Sequence, residues 1–330
     1  MQANGLPSRT AILTAAARAF GSREPDMSVR NPDWLADRLI GPAELALIAE
    51  HPIGRALDRD FQEAIVDPEV FGLTWLMLVR TKCIDEWMLR AVAAGMTQVV
   101  IVGAGFDSRA HRFSELLRDV AVYEVDHPAT QEYKRRRVEA ALGVAAGRVT
   151  YAPADLSRES LAESLRRAGV HRPRPTYFVC EGLSMYVPED GMKETLRTIG
   201  DAAPGSAVML EYLNRGGLDV LMKYPSGMIK NAIDWGEPFV FGVPDGQDRE
   251  YFREVGLDLG EALKIGSPES VQRYAMRADG TYYGAHLEKL FQQRREAALA
   301  AMDEEGREQA ARAASSSGYW LAELHTLRSQ

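Results

Sequence analysis

Gly103 and Gly105 follow directly on Val99-Val100-Ile101-Val102, and Asp126 ends the run Tyr123-Glu124-Val125-Asp126 about 21 residues after Gly105. Four β-prone apolar residues make a strand buried on both faces, and the glycines let the backbone turn sharply beside a ligand. Asp107 and Ser108 then offer N-cap chemistry for a helix whose first turn presents free backbone N–H groups to the crevice. One helix and one strand between Gly105 and Asp126 bring a carboxylate back beside the loop, where it can accept hydrogen bonds from both hydroxyls of a ribose.

Two cofactor classes use such an edge. A dinucleotide site wants a third glycine beneath the pyrophosphate, and Ser108 stands at that place. S-adenosyl-L-methionine (SAM) carries no phosphate and does not need it. An acid at Asp107 is awkward beside a pyrophosphate and suits a sulfonium or ammonium group. NAD(P)-dependent oxidoreduction therefore remains as the alternative at this point.

Further segments fall in a recognisable order. Arg80-Thr81-Lys82-Cys83-Ile84-Asp85, Val102-Gly103-Ala104-Gly105-Phe106-Asp107-Ser108-Arg109, Glu124-Val125-Asp126-His127-Pro128, Pro153-Ala154-Asp155-Leu156 and Glu181-Gly182-Leu183-Ser184-Met185-Tyr186 resemble the motifs of the leucine carboxyl methyltransferase family. Ser8-Arg9-Thr10-Ala11, Arg18-Ala19, Gly236-Glu237-Pro238-Phe239 and Phe241-Gly242 resemble its bacterial SAM-dependent branch, over roughly residues 6 to 277. The resemblance implies that Arg80 pairs with the methionine carboxylate of SAM, a task suited to its planar fork, with Gly103, Ala104 and Gly105 lining that end. It also implies that Asp126, with His127 beside it, holds the ribose, that Asp155 approaches the adenine amino group with Leu156 on the ring, and that Glu181 sits near the amino group or sulfonium. From the residues alone, Arg80 could equally cap a helix or pair with Asp85, and His127, between Asp126 and Pro128, fits a turn.

The elements that must position these residues alternate. Strands are expected near Val99 to Val102, Ala121 to Val125, Val149 to Ala152, Tyr177 to Cys180 and Ala207 to Tyr212. Helices are expected near Ser108 to Leu117, Ala129 to Leu142, Arg158 to Arg167 and Pro188 to Asp201, after helical periodicity in Thr10 to Phe20 and Pro68 to Val92. Repeated strand, helix, strand order means right-handed crossovers and an α/β fold. With the resemblance it gives a doubly wound, mostly parallel seven-stranded sheet of the class I SAM-dependent methyltransferase type. We expect one domain over residues 1–330: a helical cap (1–95), a SAM-binding core (96–280) with an insertion (213–245), and a helical extension (281–330). The insertion, rich in Gly, Pro, Met and aromatic residues, reads as a substrate-side insertion or lid, an ordinary helical insertion packed on the core being the alternative. Ser270 to Arg277 is a candidate last strand. Beyond Gly280, Ala285 to Ser315 reads as one charged helix, broken if anywhere at Gly306. Tyr319 to Leu324 then reads as an apolar segment that docks on the active site or on a second copy of the chain as a homodimer.

Composition sets bounds. The 330 residues are 46% hydrophobic, with a net charge of −8 and two cysteines, which disfavours nucleic acid as partner and a disulfide framework. The run Lys134-Arg135-Arg136-Arg137 points several ways around a helix and reads as a solvated surface. Neither a metal-ligand spacing nor a membrane-spanning run is present, and a cytoplasmic location is expected. The chemistry expected is O-methylation of a small-molecule acceptor, a carboxylic acid by preference. Tyr186 and Tyr212 are the candidate catalytic residues for orienting it, core packing of either ring being the alternative. Use of SAM for chemistry other than methyl transfer also stays open.

Overall fold

The computed structural model describes residues 7–143, 148–156, 158–171 and 173–327. Its centre is a seven-stranded sheet in the order β3-β2-β1-β4-β5-β7-β6. The strands are β1 (Gln98–Val102), β2 (Ala121–Asp126), β3 (Val149–Pro153), β4 (Tyr177–Cys180), β5 (Ala207–Leu213), β6 (Leu257–Lys264) and β7 (Tyr319–Thr326). β1 to β5 pair in parallel, whereas β7 runs antiparallel between β5 and β6. The five parallel strands lie where they are expected; β1, β4 and β5 are buried on both faces, whereas β3, at the edge, buries only Ala152. Alternate residues feed two cores. Val99, Ile101, Val179 and Met209 pack under the N-terminal helices, while Val100, Val102, Phe178, Val208 and Tyr212 face the other side.

The helix Arg9–Gly21 and the 26-residue helix Pro68–Ala93 cover the first face. Asp67 caps the second of these, with Pro68 at its first position. The helix expected over Ser108 to Leu117 is a single turn, Arg109–Arg112. Its cap is Asp107, which accepts the Arg109 N–H at 2.7 Å, whereas the Ser108 hydroxyl donates to Asp33 at 2.6 Å. The basic run on helix Pro128–Leu142 divides. Lys134 is buried on Glu124 at 2.7 Å, Arg137 turns to the Leu39 carbonyl, and only Arg135 and Arg136 are exposed.

The C-terminal third departs most from expectation. Ser270 to Arg277 is not a strand: Ser267 caps a helix, Pro268–Tyr274, with proline at its first position. β6 takes that role instead, with a register shift between Leu259 and Ala262. The charged segment is two helices, Glu288–Ala301 and Glu304–Ser316, broken at Met302 and Asp303, where Asp303 caps the second through the Gly306 N–H. Tyr319 to Leu324 is largely buried within the chain itself. It enters the chain's own sheet, pairing Leu213 with Tyr319 through Ala207 with His325, and buries Leu321, Ala322 and Leu324. β5 supplies both hydrogen bonds and an apolar surface to this segment.

Candidate functional site

The crevice opens at the carboxyl ends of β1, β2, β4 and β5, where ligands of open α/β sheets bind. After Val102 the chain turns through Gly103 (φ +70°) and Gly105 (φ +46°), a left-handed backbone that other residues rarely adopt. A Cβ on Gly103 would stand 2.9 Å from the Leu183 side chain, and one on Gly105 would stand 3.4 Å from Ala11. The Gly103 and Ala104 N–H groups donate to the Val125 carbonyl at 2.8 and 3.1 Å, which ties the loop to β2. Asp126, at the end of β2, accepts the Gly105 N–H on one oxygen and the His127 N–H at 2.5 Å on the other. Burial raises the Asp126 carboxyl while these two amides oppose the shift. Each oxygen keeps a second lone pair for a ribose hydroxyl. His127 caps the next helix, its Nδ1 accepting from Ala129 at 3.3 Å, so the turn role holds. Asp155 and the half-buried Leu156 follow β3, the strand beside β2; Arg158 lies 3.5 Å from the Asp155 carboxylate.

Behind the loop lies a buried ionic cluster. Arg80 places Nη1 at 3.0 and 3.2 Å from the two oxygens of Glu211, Nε at 2.8 Å from Glu181, and Nη2 at 3.0 Å from Met77 Sδ. Arg109 donates to Asp107, to Glu181 at 2.5 Å and to Asp85 at 2.7 Å. Arg112 joins Asp85 at 2.9 Å, and Arg18 joins Asp33 and the Phe106 carbonyl, both at 2.8 Å. Five carboxylates (Asp33, Asp85, Asp107, Glu181, Glu211) thus meet four guanidiniums (Arg18, Arg80, Arg109, Arg112). The surplus is one negative charge. Glu181 and Asp85 have the most exposed side chains of the five, 11% and 9%. Burial pushes the Glu181 carboxyl up, yet Arg109 and Arg80 outweigh it and hold it well below the usual range. A fixed carboxylate of this kind suits a cationic ligand group. Arg80 is paired with Glu211 and Glu181, not with Asp85.

Neither tyrosine is placed alike. Tyr186 follows β4 on a short turn of 3-10 helix, edge-on to Phe239 at 5.0 Å, with burial pushing its phenol up. Tyr212 does not join the group: one residue on from Glu211, it points through the opposite face, donates to Asp248 at 2.6 Å and packs on Phe252. Strand alternation makes this unavoidable once Glu211 faces Arg80. The insertion carries helices Arg215–Lys223 and Gly227–Asp234 and its own small core of Met185, Leu213, Leu218, Ile229 and Phe239. Glu237 closes it onto the first helix, accepting from Ser8 Oγ at 2.8 Å, Arg9 N at 3.0 Å, Thr10 N at 3.1 Å and Thr10 Oγ1 at 2.5 Å. The Arg9 guanidinium lies 4.4 Å from the Trp235 ring. Sequence reasoning had singled out neither Arg109, Glu211 nor Tyr319 for the site; an acid inside the apolar run of β5 was the one visible signal.

A seven-stranded sheet of order β3-β2-β1-β4-β5-β7-β6, with β7 alone antiparallel beside the edge, defines a class I methyltransferase-like α/β protein. A model of the leucine carboxyl methyltransferase family matches residues 11–200, and the chain belongs to that family. A protein of Mycolicibacterium vanbaalenii named "Putative S-adenosyl-L-methionine-dependent methyltransferase" is 34% identical over 206 residues, 62% of this chain and 65% of its own. One of the same description from Mycobacterium tuberculosis H37Rv is 30% identical over 203 residues, 61% and 65% of the two chains. The match thus spans just under two thirds of these relatives' length. Among solved structures, an O-methyltransferase from a Brevibacillus brevis polyketide multienzyme, in complex with S-adenosyl-L-homocysteine, aligns over 81% of this chain and 80% of its own (TM-score 0.45, 12% identity). The StiE O-methyltransferase segment 942–1257 aligns over 97% and 92% (TM-score 0.47, 13% identity). No described helix is long and apolar enough to cross a membrane.

Proposed function

We propose that this protein is a SAM-dependent methyltransferase that methylates an oxygen of a small or medium-sized carboxylic acid. The observation that carries the reading is the left-handed Gly103–Gly105 turn locked to the Asp126 carboxylate, with the Glu181 carboxylate just past the end of the neighbouring parallel strand β4. Asp126 would hold the ribose. Asp155 would meet the adenine amino group, with Leu156 against the ring, and Glu181 would face the ammonium or sulfonium. Arg80, with Glu211 on Nη1 and Glu181 on Nε, would take the methionine carboxylate through Nη2, which in this structure donates to Met77 Sδ. SAM supplies an electrophilic methyl group when bound.

The chain's task is then to hold the acceptor oxygen in line at about 3 to 3.5 Å, worth roughly 7 to 11 kcal/mol of the barrier. A carboxylic acid is already ionised at neutral pH and asks no base of the protein. That agrees with the site, since the Tyr186 phenol is pushed up by burial and His127 is committed to its cap. Tyr186 is the remaining candidate for orienting the acceptor, at the border between the crevice and the insertion. A dinucleotide fits less well: the Ser108 side chain is bonded to Asp33 at the place of the third glycine, and an acid, Asp107, lies beside the loop.

The test is incubation with SAM and a panel of carboxylic acids, phenols and alcohols, with mass spectrometry of both products. S-adenosylhomocysteine formed together with a methyl ester supports the reading. Methylation of phenols only would remove the carboxyl part, and SAM consumption without S-adenosylhomocysteine would point to other chemistry with the cofactor.

A further inference from the structure

Tyr319 is the first residue of β7, yet its phenol reaches the site built by β4, β5 and the long helix, where it donates to Glu211 Oε1. Glu211 has no solvent exposure and is saturated: Arg80 Nη1 bonds both oxygens, the Gly182 N–H bonds Oε2, and Tyr319 completes Oε1. A buried carboxylate and guanidinium at the end of a sheet are a poor route to stability, because desolvation of both charges consumes most of their attraction. Their place facing a ligand crevice points to another use. The chain also goes to some length to deliver the phenol. Asn214 Oδ1, just past β5, accepts from the Gly318 N–H at 2.9 Å and from Trp320 Nε1 at 2.8 Å, so the residues on both sides of Tyr319 are pinned. Ser317 donates to Asp245 at 2.5 Å, which ties the same turn to the insertion.

Resting on the SAM reading above, we propose that Tyr319 is a positioning residue for the cofactor site, acting through Glu211 to set how Arg80 meets the methionine carboxylate. By donating to Glu211, the phenol draws on the charge that Arg80 would otherwise neutralise alone, which loosens the Glu211 grip on the guanidinium and leaves it free to share a second carboxylate. Without the hydroxyl, Glu211 closes on Arg80 and competes with the ligand. The C-terminal segment, which lies beyond the part of the chain that the family model matches, thereby tunes the cofactor end of the site.

Tyr319→Phe, isosteric on a half-buried strand position, is the first variant, with Glu211→Gln as the second. Tyr177→Phe is the control: it loses a comparable buried bond, to Glu323 at 2.9 Å, at the opposite end of the sheet. Calorimetry should show SAM binding about tenfold weaker in Tyr319→Phe and unchanged in Tyr177→Phe, the loss of one hydrogen bond to a charged group being of that size. The Michaelis constant for SAM should rise with little change in kcat. In the ligand-free protein the Arg80 Nε resonance, read by nitrogen-15 NMR, should shift in Tyr319→Phe and Glu211→Gln and stay in place in the control. Equal SAM affinity of wild type and Tyr319→Phe, or an unmoved Arg80 resonance, overturns the inference and leaves the cofactor reading intact. Absence of SAM binding by the wild type overturns the cofactor reading itself.

Discussion

Glu237 is the hinge pin between the insertion and the first helix, and its removal has a calculable effect. Its carboxylate accepts four donors, two of them the Arg9 and Thr10 N–H groups at the positive end of helix Arg9–Gly21. A hydrogen bond to a charged group is worth about 1.5 to 3 kcal/mol, but the four share one carboxylate and the site is only partly buried, so water replaces some of them on opening. Ser8 Oγ also still caps Ala11 at 3.1 Å. We take about 3 kcal/mol for Glu237→Ala, which raises the open population roughly a hundredfold. Glu237→Gln keeps the shape and loses the charge, for about 1 kcal/mol and a several-fold rise. Hydrogen exchange followed by mass spectrometry on peptides spanning 8–20 and 226–243 reads this directly, with peptides in β1 and β4 as unchanged references. Exchange in Glu237→Ala indistinguishable from wild type in both peptides would mean that the clasp holds nothing and that the insertion is fixed by its own apolar core.

Other substitutions separate ligand contacts from packing. Asp126→Asn should abolish detectable SAM binding by calorimetry while the protein stays folded, since the amide can serve only one of the two backbone N–H groups and the ribose together; Asp126→Ala should also lower the melting temperature, because both N–H groups lose their acceptor. Arg80→Lys should weaken SAM at least tenfold despite the retained charge, an ammonium having no fork with which to hold Glu211, Glu181 and a ligand at once. Tyr212→Phe should leave turnover unchanged and cost about 1 to 3 kcal/mol in denaturant unfolding, Asp248 losing a 2.6 Å donor. Burial lowers the His111 and His51 imidazoles from the ordinary 6.5 to about 4. As pH falls from 6.5, the unfolded chain takes up these protons first, so stability present at neutral pH is lost between about 6.5 and 4; His111→Leu should remove part of that loss in unfolding curves at pH 7 and 4.5.

How much of this was legible in the chain depends on which interactions are local. β1 and β4 could be read because strands buried on both faces show as apolar runs, β2 because its apolar residues surround an acid, Glu124, and the Gly103–Gly105 turn because only certain residues adopt its backbone. β6 escaped because it alternates, carries Gly260 and a register shift, and lies at the edge of the sheet, whereas Ser267-Pro268 marked the next segment as a helix by capping rules that outweigh its apolar content. β7 was visible as an apolar unit but not as a strand of the core, since its partner β5 lies 108 residues away at the Glu211 to Tyr319 contact. Separations of 72 residues between Arg109 and Glu181 and 131 between Arg80 and Glu211 hid the ionic cluster. Glu181 was within reach through its motif, but Arg109 and Glu211 are ordinary charged residues in sequence, and only the crossing of helix Pro68–Ala93 over β4 and β5 joins them to it in one buried group.

Titration of the wild-type protein with SAM and, separately, with NAD and NADP tests the central claim most directly. The crevice described above predicts saturable binding of SAM at one site per chain, with neither dinucleotide competing. Binding of a dinucleotide with no heat from SAM would contradict it.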